Sequence, residues 1–102
     1  MIGEYLGGVE HVARVVARDG ALWIGDGAHE YLAVPLGDCD GLEVSRFSFV
    51  DVSRGLAYLE GDCDAALWFG SRSCARSASS IGAVDHGRRS WVRDLARFGG
   101  ES

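Results

Sequence analysis

Through the first sixty residues, apolar runs are short, and each is cut off by glycine, aspartate or proline. Val9–Arg18 holds four valines and is followed by Asp19-Gly20 and then Ala21-Leu-Trp-Ile24. Asp-Gly between two apolar runs signals a hairpin, because both residues tolerate the positive φ of a type I′ turn. That reading makes Val9–Arg18 a strand. The alternative is a helix with Val9, Val12, Ala13 and Val16 along one face. A second turn at Gly25-Asp26-Gly27 leads into His29–Val34, and Pro35 ends that strand or places it at an edge. After a loop at Gly37–Gly41, Leu42–Val52 reads as extended. It sets Leu42, Val44 and Val50 on one side and Phe47 and Phe49 on the other, as in a central strand covered on both faces. Ser53-Arg-Gly55 then turns the chain back into Leu56–Glu60.

Beyond residue 60 the pattern changes. Asp62 or Asp64 is placed to cap a helix that opens with Ala65–Phe69. Ser71–Gly87, rich in serine and glycine, reads as a frayed helix end running into a long loop. In segment 85–98, Trp91, Leu95 and Phe98 share one arc of a helical wheel, with Arg89, Arg93 and Arg97 nearly opposite. Asp85 or Ser90 would cap that helix and Gly99-Gly100 would stop it. The predicted fold class is α+β. A small, mainly antiparallel sheet of about five strands packs against a C-terminal amphipathic helix, in a single domain over residues 1–102.

Composition narrows the class. With 47% apolar and 25% charged residues, the chain is neither disordered, collagen-like nor a coiled-coil rod. No apolar run approaches the roughly 20 residues that cross a bilayer, and the N-terminus lacks the cationic head and apolar stretch of a secretory signal. The expected setting is cytoplasmic, without a membrane partner. All ten cations are arginine, and lysine, asparagine, glutamine and threonine are absent. That is the coding bias of a GC-rich bacterium or its mobile elements, and it excludes Schiff-base or phosphate-binding lysine chemistry. A net charge of −5 argues against wholesale binding to a nucleic-acid backbone. Cys39, Cys63 and Cys74 form no C-x-x-C and read as reduced thiols.

Gly-Asp-Cys-Asp occurs twice, at 37–40 and 61–64. Asp38, Asp40, Asp62 and Asp64 are candidate hard oxygen ligands for Ca²⁺ or Mg²⁺, although neither copy makes the D-x-[DN]-x-[DN]-G loop. The competing reading is turn and cap chemistry, which selects the same residues. His11, His29 and His86 are scattered without zinc-site spacing. Cys74, Ser79 and Ser80, with Asp85-His86 as base, are the candidate nucleophilic constellation, but no family signature frames them. Trp23, Trp68 and Trp91 read as core anchors. No catalytic set and no cofactor follow from these patterns.

In size, acidity and lack of a catalytic signature the chain resembles, in general terms, small proteins of phages and integron gene cassettes. No motif carries that resemblance. The expected function is that of a non-enzymatic interaction or accessory protein that binds a macromolecular partner through Arg89, Arg93 and Arg97, whose planar forks suit carboxylates and phosphates. A homodimer is expected as well, because Val9–Arg18 and His29–Val34 read as edge strands that need covering. The first alternative is a small-ligand-binding domain or minor enzyme, with a pocket between sheet and helix and His29, His86 or the clustered aspartates as polar contacts. A concave pocket above about 300 Å³ with converging polar groups would favour it. The second alternative is an acidic decoy acting against a defence system, for which net charge is the argument.

Overall fold

The computed structural model describes residues 2–25, 29–71, 83–85, 92 and 95–97. In chain order they form α1 (Ile2–Asp19), β1 (Leu22–Gly25), β2 (Glu30–Pro35), β3 (Phe49–Asp51), β4 (Leu56–Glu60), α2 (Ala65–Ser71), β5 (Ala83–Asp85) and β6 (Ala96–Arg97). The strands make one sheet in the order β5-β1-β2-β4-β3-β6. Five are antiparallel neighbours, and β5 joins β1 in parallel. The class is α+β, as the sequence predicts. No helix among the described residues is long and apolar enough to cross a membrane.

The principal helix lies at the opposite end of the chain from the one predicted. Val9–Arg18 is helical rather than extended, because a strand would send Val12, Arg14 and Val16 to the same face and bury a guanidinium among valines. The helix instead groups Val12, Val15 and Val16 in the core while Arg14 stays exposed. That burial outweighs the strand preference of valine. Asp19-Gly20 is accordingly a helix end and not a hairpin turn. Gly20 takes a φ of 94° and donates its N–H to the Val16 carbonyl at 2.8 Å, the left-handed cap that glycine adopts without strain.

At the other terminus, residues 83–85 and 96–97 are strands, so the helix predicted over 85–98 is not the structure at its described positions. Ala96 and Arg97 pair with Val50 and Phe49, supplying hydrogen-bond partners to a strand edge that would otherwise stay open. Trp91, Phe98, Arg89 and Arg93 lie outside the described residues. The two segments expected at sheet edges are not there either: one is α1, and β2 lies between β1 and β4. The edge argument for a homodimer loses its premise.

Both faces of the sheet are covered. On one, Leu22, Ile24, Tyr31, Phe49, Leu56 and Tyr58 meet the valines of α1, with Val92 and Leu95 joining them. On the other, Leu32, Val34, Ala57 and Leu59 meet Trp68 and Ala65 of α2, together with Cys39. Arg54 ties α1 to the β3–β4 turn by reaching Glu10 at 3.1 Å and Asp51 at 3.2 Å.

Candidate ligand pocket

Residues two apart on a strand point to the same face, and the register brings Tyr31, Phe49, Glu60 and Arg97 to one corner of the α1 face, with His29, Phe47 and Asp62 just beyond the strand ends. Tyr31 pairs with Glu60, while Phe49 lies between Tyr58 on β4 and Arg97 on β6. His29 precedes Tyr31, Phe47 precedes Phe49, and Asp62 follows Glu60, each by two residues. All of these except the buried Tyr58, with Cys63, line a cavity of about 410 Å³. α1 packs across β1 and β2, on the far side of the face from β3 and β6.

The floor of the cavity is aromatic. Tyr31 and Phe49 meet edge to face, with ring centroids 5.7 Å apart, and His29 lies 6.3 Å from Tyr31 at a tilt. Phe47 is 60% exposed. The walls are charged with opposite signs. His29 Nδ1 lies 3.7 Å from Glu60 Oε2, and Glu60 Oε1 accepts the Asp62 backbone N–H at 2.9 Å. Across the cavity, the Arg97 guanidinium sits 5.1 Å from the Phe49 ring centroid and donates to the Arg46 carbonyl at 2.9 Å.

The second Gly-Asp-Cys-Asp supports this corner. Gly61 approaches β2 so closely that a Cβ would stand 3.0 Å from the Glu30 carbonyl oxygen. That oxygen accepts the Gly61 N–H at 2.8 Å. Asp64 is 3% exposed. Its carboxylate accepts from Ser45 N–H at 3.2 Å, Ser45 Oγ at 2.6 Å and Ser48 Oγ at 2.5 Å. Those hydroxyls in turn accept the backbone N–H of Phe47 and of Glu60. Two residues of the pocket wall are thus fixed through one buried carboxylate.

In the first copy, Asp38 accepts the indole N–H of Trp68 at 3.1 Å, and Asp40 is exposed. Asp38 and Asp64 are thus acceptors for neighbouring groups, whereas Asp62 lines the cavity, and among the described residues no three metal-ligating side chains gather. Cys39 is buried beneath α2, and burial pushes its thiol up to about 11, with Asp38, Asp40 and Asp64 adding repulsion. The unfolded thiol ionises near 9. The stability Cys39 contributes is therefore complete below that pH and lost as pH rises toward about 11. The expected result is a melting temperature that falls across this window more steeply in the wild type than in Cys39→Ala. Parallel pH profiles would refute it.

Of the other residues singled out from sequence, His11 is exposed and Trp23 packs against Phe69 at 6.2 Å. Asp85 ends β5. Cys74, Ser79, Ser80 and His86 lie outside the described residues. Arg97 is on a strand, so the helical spacing that grouped it with Arg89 and Arg93 does not apply to it. Of the pocket set, the sequence reading singles out only His29 and Asp62 as ligand contacts and Arg97 as a partner contact, because its members come from four separated segments. The one local signal is the alternation at 29/31, 47/49 and 60/62. In comparisons with known proteins, the chain matches no family model, no curated protein and no solved structure.

Proposed function

We propose that the protein is a small-ligand-binding domain whose site is the corner cavity on the α1 face. The observation that carries this reading is the cavity itself. At about 410 Å³ it lies within the roughly 300–1,000 Å³ range of ligand sites, and its aromatic floor is flanked by converging polar groups. Ordering of the wall through Asp64, Ser45 and Ser48 supports it further, since a pre-shaped site loses less entropy on binding. The lining suits binding rather than nucleophilic chemistry. The exposed Cys63 thiol is raised above its ordinary value by partial desolvation, then by Glu60, with Asp64 and Asp62 adding. A reactive thiolate needs the opposite environment.

Screening small aromatic compounds by amide chemical-shift perturbation tests the proposal. Saturable shifts confined to residues 29–31, 47–49, 60–63 and 96–97 are expected, with dissociation constants reaching about 1 mM or tighter for the best compounds. If no compound gives saturable shifts there, the cavity is a packing feature and the reading falls.

A further inference from the structure

The two charged walls of the cavity do not neutralise each other. Arg97 is held over Phe49 and by the Arg46 carbonyl, and no carboxylate pairs with it among the described residues. The Asp62 carboxylate likewise meets no cation there, and the only basic side chain that Glu60 meets among the described residues is His29, its Oε1 being engaged by the Asp62 N–H. Arg97 lies on β6 and Glu60 on β4, with β3 between them. Arg97 is level with Tyr58, two residues before Glu60, so two strand spacings near 4.8 Å and two residues of about 3.4 Å along the strand set their backbones about 12 Å apart. Between the charges lie Tyr31 and Phe47, and Phe47 has no ring partner among the described residues.

Resting on the ligand-binding reading above, we infer that the site takes a small flat zwitterion. Its carboxylate meets Arg97, its protonated amine meets Glu60 and Asp62, and its aromatic or other apolar middle lies against Phe47 and Tyr31. A planar guanidinium with N–H groups to spare suits a carboxylate. The two acids at the other wall repel a dianion such as a phosphate ester, and Arg97 repels a simple cation. Each singly charged ligand leaves one wall without its partner. Opposite charges at the two ends of the ligand therefore set the specificity.

The probe series is 4-(aminomethyl)benzoate, benzoate, benzylamine and phenyl phosphate, titrated into the wild-type protein by calorimetry or amide shifts. The zwitterion should bind about tenfold tighter than benzoate or benzylamine, and phenyl phosphate most weakly. Arg97→Gln should reduce 4-(aminomethyl)benzoate to the affinity of benzylamine, with an unchanged amide spectrum elsewhere showing that β6 still pairs. Because the wild-type series stands alone, a variant that fails to fold does not remove the test. Benzoate or benzylamine binding as tightly as the zwitterion would overturn the inference and leave the pocket reading intact. If none of the four binds while other aromatic compounds do, the inference falls alone. If no compound of any kind binds, both fall.

Discussion

Asp64→Ala is expected to lower the unfolding free energy by about 3–5 kcal/mol, measured by urea denaturation. The carboxylate is 3% exposed and receives one backbone N–H and two hydroxyls. Alanine orphans all three donors inside the protein, and each buried donor left without a partner costs about 1–3 kcal/mol. Part of that loss is recovered where Ser45 reaches water, because Ser45 is only half-buried whereas Ser48 is fully buried. Asp64→Asn keeps one acceptor oxygen but sets an NH₂ group against hydroxyl donors. It should therefore lose less, about 2 kcal/mol. The same substitutions should alter the pocket before they unfold the chain, since Ser45 Oγ holds the Phe47 N–H and Ser48 Oγ holds the Glu60 N–H. Amide shifts in Asp64→Asn should concentrate at residues 45–49 and 60. A loss below about 1 kcal/mol in Asp64→Ala would mean that water replaces these bonds.

The residues that make this network were legible individually but not as a network. Asp64 reads from sequence as a helix cap, and α2 does begin one residue later. Its side-chain bonds among the described residues, however, run to a loop sixteen and nineteen residues earlier, a separation no local pattern encodes. The strands at 22–25, 30–35 and 56–60 fall where alternation and turn residues place them, because each carries its own punctuation. The extended segment predicted over 42–52 keeps only Phe49–Asp51 as a strand, the preceding residues being drawn into the Asp64 network. Val9–Arg18 went to the helix because the position of Arg14, not the count of valines, decides which period is tolerable in a core. Segment 96–97 went to the sheet because β3 needed a neighbour, a requirement that appears only when strands are assembled.

The repeated Gly-Asp-Cys-Asp shows the same limit from another side. Its two copies are not equivalent subunits of a duplicated fold. The first, at 37–40, fastens α2 through Asp38, and α2 follows the second copy in sequence. The second, at 61–64, fastens residues 45–48 through Asp64, and those follow the first. Each copy therefore braces the segment that comes after the other. One side of this brace shapes the pocket wall, and the other holds the sheet's opposite face closed.

That second side yields the remaining large effect. Trp68→Ala should cost about 3–5 kcal/mol. The indole is 2% exposed and packs among Leu32, Val34, Ala57 and Leu59, so truncation leaves a large cavity that a stiff sheet cannot collapse to fill. α2 has only seven residues and contains Gly70, too short and too weak a helix to persist without docking. Loss of its anchor should therefore loosen the whole element, not just the site of the substitution. Trp68→Phe retains most of the apolar volume and loses the indole N–H bond to Asp38, which is half-buried and can recruit water. About 1–2 kcal/mol is expected there. Cys39, 5% exposed beneath α2, provides an independent readout. Its alkylation in the native protein should be slow in the wild type, little changed in Trp68→Phe, and faster in Trp68→Ala under conditions where the chain remains folded. Equal Cys39 protection in all three proteins, with a stability loss below about 1 kcal/mol for Trp68→Ala, would show that α2 is not held to the sheet by this side chain.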